Sequence, residues 1–196
     1  MLEYDNKYSN LQYVCGVDEA GAGPLAGPVV AAAVVLDWGF AVAGIGDSKK
    51  LSEKKRLLLE PKIKESAVDY KISIISHNII DEINILQARL LAMKNAVLSL
   101  AVEPQICLID GNYLLDITLK SEAVIKGDSL SQAIAAASIL AKNERDRIMV
   151  EYDALYPQYG FKQHKGYPTK AHIEAIKRYG LSEIHRRSFC KKILEV

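Results

Sequence analysis

Four acidic residues in this sequence stand where apolar, strand-like runs give way to turns. Asp18 and Glu19 follow Tyr13-Val14-Cys15-Gly16-Val17 and precede Gly21-Ala22-Gly23-Pro24. Asp110 closes Ile106-Cys107-Leu108-Ile109 and is followed by Gly111 and Asn112, and Asp128 follows Gly127 ahead of a helical stretch. Like charges near a buried strand end are costly unless a cation neutralises them. No histidine or cysteine pattern lies beside these acids, and oxygen-only ligands suit Mg2+ or Mn2+ rather than zinc. Two such ions about 4 Å apart can activate water and stabilise the leaving oxygen of a phosphodiester. A plainer reading stands beside each acid: Asp18 and Glu19 as a solvated acidic turn, Asp128 as a helix cap or first-turn acid. Consecutive side chains of a regular strand point to opposite faces. Asp18 and Glu19 can therefore share a site only if the chain leaves the pleat there, which Gly21 and Gly23 permit.

The elements that must hold these acids follow from periodicity. Tyr13 to Val17 and Val29 to Leu36 read as buried strands, and Tyr70 to Ile75 as a half-buried one. Ile106 to Ile109 and Ala123 to Ile125 add two short strands. Ser52 offers an N-cap for a charged helix that must accommodate Pro61. Ile79 to Leu100 is expected to be one helix, with Ile79, Ile83, Leu86, Leu90, Met93 and Val97 on a single face. Ser129 and Gln132 form a capping-box pair for a long helix with the stripe Leu130, Ile134, Ala137, Ala141, Ile148 and Tyr152. Thr169 caps a last clear helix that ends at Gly180. Strands followed by alternating helix and strand, then helices, predict an α/β layer around a mixed sheet.

Composition bounds what such a fold can do. A chain of 196 residues, 49% hydrophobic and 25% charged, has the size and make-up of one globular domain. Its net charge of +1 excludes a generally basic nucleic-acid coat, so contact with phosphates must rest on local patches. Lys49, Lys50, Lys54, Lys55 and Arg56 form one patch, and the lysines and arginines from Lys162 to Lys192 form another. Charge alone reads both as solvated surface. Cys15, Cys107 and Cys190 are odd in number and far apart, as suits reduced, buried thiols rather than disulfides or a zinc site. The first residues lack the pattern of a signal peptide, and the run Val29 to Leu36 is too short to span a bilayer. A cytoplasmic monomer is the expectation.

The stretch GVDEAGAGPLAGPVVAAAV closely resembles the N-terminal motif of the ribonuclease HII family. The resemblance continues through GDSKKLS (46–52), LIDGN around Asp110, KGDSLSQAIAAASILAKNERD (126–146), YPQYGFKQHKGYPT (156–169) and HRRSF (185–189). It implies a ribonuclease-H-like fold: a central mixed five-stranded sheet flanked by helices, with a helical C-terminal extension over about residues 156–196. It also implies cleavage of the RNA strand of RNA–DNA hybrids and incision 5′ to ribonucleotides embedded in duplex DNA, leaving 3′-hydroxyl and 5′-phosphate ends. The family's metal-binding carboxylates map onto Asp18, Glu19, Asp110 and Asp128, with Asp18 bridging two Mg2+ or Mn2+ ions. Attack would be in-line, by metal-activated water. A non-cleaving nucleic-acid-binding module and a general two-metal DNA nuclease on the same fold stay open as alternatives. Nothing in the sequence speaks for a replication clamp as partner.

Substrate choice needs other residues, because the 2′-hydroxyl is what separates RNA from DNA. In the family a Gly-Arg-Gly segment reads that hydroxyl with main-chain groups while its arginine reaches phosphate; here the segment is Gly21-Ala22-Gly23. The family's tyrosine that packs on the neighbouring sugar corresponds to Tyr167, followed here by Pro168 instead of the usual glycine. Ser48 and Lys49, in a glycine-bounded loop, and His164 and Lys165 are expected from their positions to touch backbone phosphates. Asp146 reads as an intrahelical ion-pair partner, and Arg186 to Phe189 as residues that dock the tail. With no guanidinium at position 22 the resemblance implies weakened activity, since a lost charged phosphate contact would cost roughly 1.5–3 kcal/mol. Ala22→Arg should therefore raise the rate of cleavage of a duplex holding one ribonucleotide; an unchanged rate would remove the side chain at position 22 from substrate binding.

Overall fold

A computed structural model describes residues 2–37, 44–45 and 51–194. Its centre is a five-stranded sheet built from β1 (Tyr13–Ala20), β2 (Val29–Asp37), β3 (Asp69–Ile75), β4 (Ile106–Asp110) and β5 (Ser121–Val124), in the spatial order β3-β2-β1-β4-β5. β2 pairs antiparallel with both β1 and β3, whereas β4 runs parallel to β1 and to β5. The expected mixed sheet is thus present. Parallel neighbours need a crossover, and α3 (His77–Leu98) lies between β3 and β4 in the chain for that purpose. β2 is Val-Val-Ala-Ala-Ala-Val-Val-Leu over its buried length, because helices cover both of its faces.

On one face Cys15, Val17, Ala31 and Ala33 pack with Ala88, Ala92, Met93 and Ala96 of α3. On the other, Ala32, Val34 and Leu36 pack with Leu59 and Ile63 of α2 (Glu53–Ser66) and with Ala133, Ala136, Ala137 and Leu140 of α5 (Gln132–Leu155). Ser52 caps α2 through its hydroxyl, which accepts the Lys55 N–H at 3.3 Å, and the helix contains Pro61. The alanine-rich start of α5 lets it lie very close to β1. A Cβ on Gly16 would fall 2.0 Å from the carbonyl carbon of Ala133, so only glycine fits at that crossing.

Two helix starts differ from the sequence expectation. α3 is broken at Asn84, which has φ 67° and ψ 165°, so the stripe read across Ile79–Leu100 changes phase there. The Asn84 side chain begins the second segment by accepting N–H bonds from Leu86 (3.0 Å) and Gln87 (3.2 Å). Ile80, rather than Ile79, is the fully buried residue before the break. The Ser129–Gln132 capping box does not form either. Gly127–Leu130 is a separate turn of helix, α4, and Ser131 is extended between it and α5. Ser129 instead donates its hydroxyl to Lys126 O, and the Gln132 N–H is taken by the Asp5 carboxylate at 2.8 Å. Asp5 ends α1 (Leu2–Asp5), and a 3-10 turn (Asn6–Tyr8) follows. Tyr4, Lys7 and Tyr8 hold this segment down by converging on Glu122 of β5.

The C-terminal helices α6 (Phe161–His164), α7 (Lys170–Tyr179) and α8 (Arg187–Leu194) enclose a further core of Phe161, Ile176, Ile184 and Cys190. That core includes Leu25, Ala26 and Met149, so the glycine-rich turn after β1 is built into it. Cys15, Cys107 and Cys190 are all buried free thiols, as expected. Thr169 caps α7 through the His172 N–H, and Gly180 ends it with φ 77°. The Gly16 crossing yields a quantitative expectation. Gly16→Ala forces α5 off β1 and should cost about 3 kcal/mol or more, the upper range for overpacking a rigid contact. Urea unfolding of the two proteins measures it, and a cost below about 1 kcal/mol would mean that the crossing can relax.

Candidate active site

Parallel pairing of β1 with β4 matches Val17 to Ile109, so the next residue of each strand, Asp18 and Asp110, comes to the same end of the sheet. Glu19 adds a third acid. The chain does not leave the pleat at this point, contrary to the sequence argument: β1 stays paired with β2 through Ala20, with Asp18 opposite Ala32 and Glu19 opposite Ala31. The two carboxylates do lie on opposite faces. Asp18 meets Ser138 of α5, and Glu19 meets the Arg89 guanidinium of α3 at 3.4 Å. They line one cleft because it opens over the strand end, where both faces are accessible. Asp18, Glu19, Asp110, Gly21, Ala22, Gly23 and Tyr167 all line it.

Electrostatics at this cleft are strongly unfavourable for three ionised acids. Burial, then the charges of Glu19 and Asp110, push the Asp18 carboxyl well above the usual carboxylate range. The Ser138 hydroxyl and the Glu19 N–H, 2.7 Å from Asp18 Oδ1, oppose that shift. Asp110 Oδ1 accepts the Gly127 N–H at 2.7 Å and lies 3.4 Å from the Asp128 nitrogen. Asp128 is buried beside Asp110 on α4 and is not among the cleft-lining residues. Among the described residues no three histidine, cysteine or acidic side chains already stand in metal-ligating geometry. The donor set fits a hard cation nonetheless: it is oxygen-only, and a cation offsets the repulsion that raises Asp18.

Three polar lining residues were not singled out from sequence as part of a site: Arg56, Ser138 and Lys142. Ser138, Lys142 and Asp146 recur at intervals of four along α5, and that spacing was the available signal. Arg56 was read with a solvated cluster, yet only 9% of it is exposed. Its guanidinium donates to Leu51 O and to Asp146 Oδ2, both at 3.0 Å. Asp146 also accepts from Lys142, so the expected intrahelical ion pair is present and extends to a second helix. Ser48 and Lys49 lie outside the described residues. His164 and Lys165 are not brought to the cleft lining; the Lys165 ammonium donates back to Lys162 O at 2.5 Å.

The turn from Gly21 to Pro28 is held by two fully buried arginines. Arg145 of α5 donates to Pro28 O (3.1 Å), Ala26 O (3.2 Å) and Lys165 O (3.0 Å). Arg186 donates to Gly27 O (3.0 Å), Ala22 O (3.1 Å), Gly21 O (2.7 Å) and Pro28 O (3.1 Å). Burial pushes Arg145 down to about 10, and burial together with the Arg145 charge pushes Arg186 down to about 9. Both stay charged at neutral pH. Gly21 has φ +100°, and a Cβ there would meet Arg145 Nε at 2.2 Å, so the first glycine is required by conformation and by space. Gly23 faces only the Tyr167 ring, 3.8 Å from its hypothetical Cβ.

Comparison with known proteins shows the family. A family model described as Ribonuclease HII matches residues 15–192. The chain belongs to the ribonuclease HII family. It is 57% identical over 197 residues to Ribonuclease HII of Ruminiclostridium cellulolyticum, which covers 100% of this chain and 77% of that one. Among solved structures it is similar to the ribonuclease H2 of Pyrococcus horikoshii OT3, with a TM-score of 0.78, 29% identity, and coverage of 93% of this chain and 97% of that one. It shares its fold with Bst-RNase HIII in complex with Mn2+, at a TM-score of 0.75 and 20% identity, over 98% of this chain and 72% of that one. The chain is therefore a ribonuclease H enzyme, an endonuclease on the fold that its sequence predicted. No helix among the described residues is long and apolar enough to cross a membrane.

In this ribonuclease HII family member the cleft wall bearing Tyr167 rests on three histidines in mutual contact. The His164 and His172 rings stack with centroids 4.3 Å apart, and His172 Nε2 lies 3.0 Å from His185 Nε2. His172 and His185 are buried, and His164 is half-buried. Burial pushes His172 and His185 down from 6.5 to about 4, and neighbouring histidines add to the shift. The sign of the linkage follows. Neutral rings favour the folded state fully above pH 6.5, and that contribution is lost as pH falls from 6.5 toward 4, where the unfolded chain binds protons that the folded one refuses. Urea unfolding should therefore lose stability over this window relative to a His172→Gln, His185→Gln variant, a comparison that cancels the buried acids titrating in the opposite sense. Parallel pH profiles for the two proteins would contradict it.

Proposed function

We propose that this chain hydrolyses the RNA strand of RNA–DNA hybrids and incises duplex DNA 5′ to embedded ribonucleotides, leaving 3′-hydroxyl and 5′-phosphate ends. The observation that carries the reading is the convergence of Asp18, Glu19 and Asp110 at the shared end of two parallel strands, with Gly21-Ala22-Gly23 and Tyr167 on the same cleft. Asp18, Glu19, Asp110 and Asp128 would hold two Mg2+ or Mn2+ ions. When bound, the ions supply the water activation and leaving-group stabilisation that phosphodiester hydrolysis needs. The raised Asp18 carboxyl supports this assignment, because the cluster is far better tolerated around cations than alone.

The other residues bind and orient. Arg145 and Arg186 fix the backbone of the glycine turn, which is what main-chain reading of a 2′-hydroxyl requires. Tyr167 is 40% exposed at the cleft, which supports its reading as the residue that packs on a sugar ring. Lys142 and Arg56 give the cleft positive charge for phosphate, and each phosphate contact would steepen the salt dependence of binding. Ser48 and Lys49 are retained as phosphate contacts from their position in the sequence. Residues 156–196 would act with the sheet as one working unit, with the extension forming the wall that carries Tyr167.

Matched duplexes with and without one ribonucleotide, incubated with Mn2+, test this directly. Cleavage only beside the ribonucleotide is expected. Cleavage of both duplexes would make the chain a general two-metal nuclease, and binding without cleavage would make it a non-cleaving module. Asp18→Asn and Asp128→Asn should each lower the rate on the order of 10²-fold or more, the scale of one lost electrostatic contact in a transition state. Full activity in Asp128→Asn would remove that residue from the site.

A further inference from the structure

We propose that His172 and His185 are positioning residues for Tyr167, acting through a single allowed arrangement of imidazole protons; the role in substrate choice rests on the reading of Tyr167 as a sugar contact. Four backbone partners fix the arrangement. The Tyr167 carbonyl can only accept, so His172 Nδ1, 2.9 Å away, carries a proton and donates it. The Ser182 N–H can only donate, so His185 Nδ1, 2.9 Å away, is unprotonated. His185 Nε2 then carries the ring proton and donates it to the lone pair of His172 Nε2 across 3.0 Å. His164 is settled in the same manner: Nε2 donates to Tyr159 O at 2.8 Å, and Nδ1 accepts the Gly166 N–H at 3.2 Å.

All three rings are neutral in this arrangement, and every ring nitrogen is engaged. An added proton on any of them would set one N–H against another. Around the relay stand the Tyr159 and Phe161 rings, edge-on or tilted to His185, with Phe161 also edge-on to His164 and His172. The Ser182 hydroxyl reaches His185 Nδ1 at 2.7 Å.

The output of the relay is the Tyr167 peptide. Its carbonyl accepts from His172 and from the Thr169 N–H (2.8 Å), and its own N–H donates to His164 O (2.9 Å). With the backbone clamped on both sides, only the side-chain torsions of Tyr167 stay free. At the other end of the relay, the His185 backbone forms a β-bridge with Ala26 in the turn held by Arg145 and Arg186. The Leu25 N–H, which donates to Gly166 O at 2.8 Å, and Arg145 tie the glycine turn to the segment before Tyr167, and the histidines add the hold on the Tyr167 carbonyl without touching substrate themselves.

Nitrogen-15 NMR of the imidazoles in the full-length chain at pH 7.5 tests the arrangement without reference to activity. The expected result is His172 protonated at Nδ1 and His185 at Nε2. The reverse tautomer at either ring, or an imidazolium, would overturn the proposal. The functional arm compares the ratio of single-ribonucleotide duplex to continuous hybrid cleaved, with Mn2+. His172→Phe removes the donor and should shift that ratio about tenfold, the scale of one lost hydrogen bond. His172→Asn keeps an amide donor for Tyr167 O and should hold the ratio within about twofold. Equal ratios in these two variants, both folded by circular dichroism, would overturn the positioning role. A Tyr167→Ala ratio equal to the native one would instead sink the sugar contact itself, and the tautomer result would show that failure to be separate from the relay.

Discussion

Two guanidinium groups with no exposed surface, those of Arg145 and Arg186, take up the carbonyls of Gly21, Ala22, Ala26, Gly27 and Pro28. A tight turn leaves many backbone acceptors without ladder partners, and buried acceptors left unpaired are expensive. Charged donors with several N–H groups in a rigid fork satisfy them from one position. The arrangement also works in reverse: the carbonyl dipoles are what let two positive charges remain buried beside each other. The turn, the helix α5 that carries Arg145 and the C-terminal segment that carries Arg186 therefore form one interlocked object. The acidic cleft lies directly against it.

The acids themselves are organised by the sheet. Parallel register brings Asp18 and Asp110 level, and the strand end opens both faces so that Glu19 joins them. The helix α5 must lie close for Ser138 to reach Asp18, and Gly16 provides that approach. The ion-pair chain of Arg56, Asp146 and Lys142 places cationic side chains at the cleft while stitching α2 to α5. Repulsion among the acids is a stability cost that the rest of the fold offsets, as sites for bound cations commonly require.

Much of this was legible in the chain. Strands rich in valine and bounded by glycine, and helix caps at Ser52 and Thr169, gave the elements nearly in their observed places. Long motif matches gave the family and pointed to four acids, of which Asp18, Glu19 and Asp110 line the cleft. Local patterns misled where a distant residue won. Asp5, distant in sequence, took the helix start that Ser129 and Gln132 were expected to cap. Asn84 broke a helix whose apolar stripe looked continuous, because its side chain caps the following segment. Arg56 looked like one more surface charge in a basic run, and only the packing of α2 against α5 buried it against Asp146.

Residue type, spacing and motif therefore determined the fold class, the acids and the glycines, since these depend on local conformation and on what a strand end can expose. The tertiary structure decided how Asp18 and Glu19 share a cleft without leaving the pleat, which cations stand beside them, and what holds Tyr167. Those outcomes depend on register and on hydrogen bonds between segments more than a hundred residues apart, such as Arg186 to Gly21. A one-dimensional pattern carries no record of such distances. Burial made them decisive, because a charge or ring nitrogen removed from water must find its partner wherever the fold brings one.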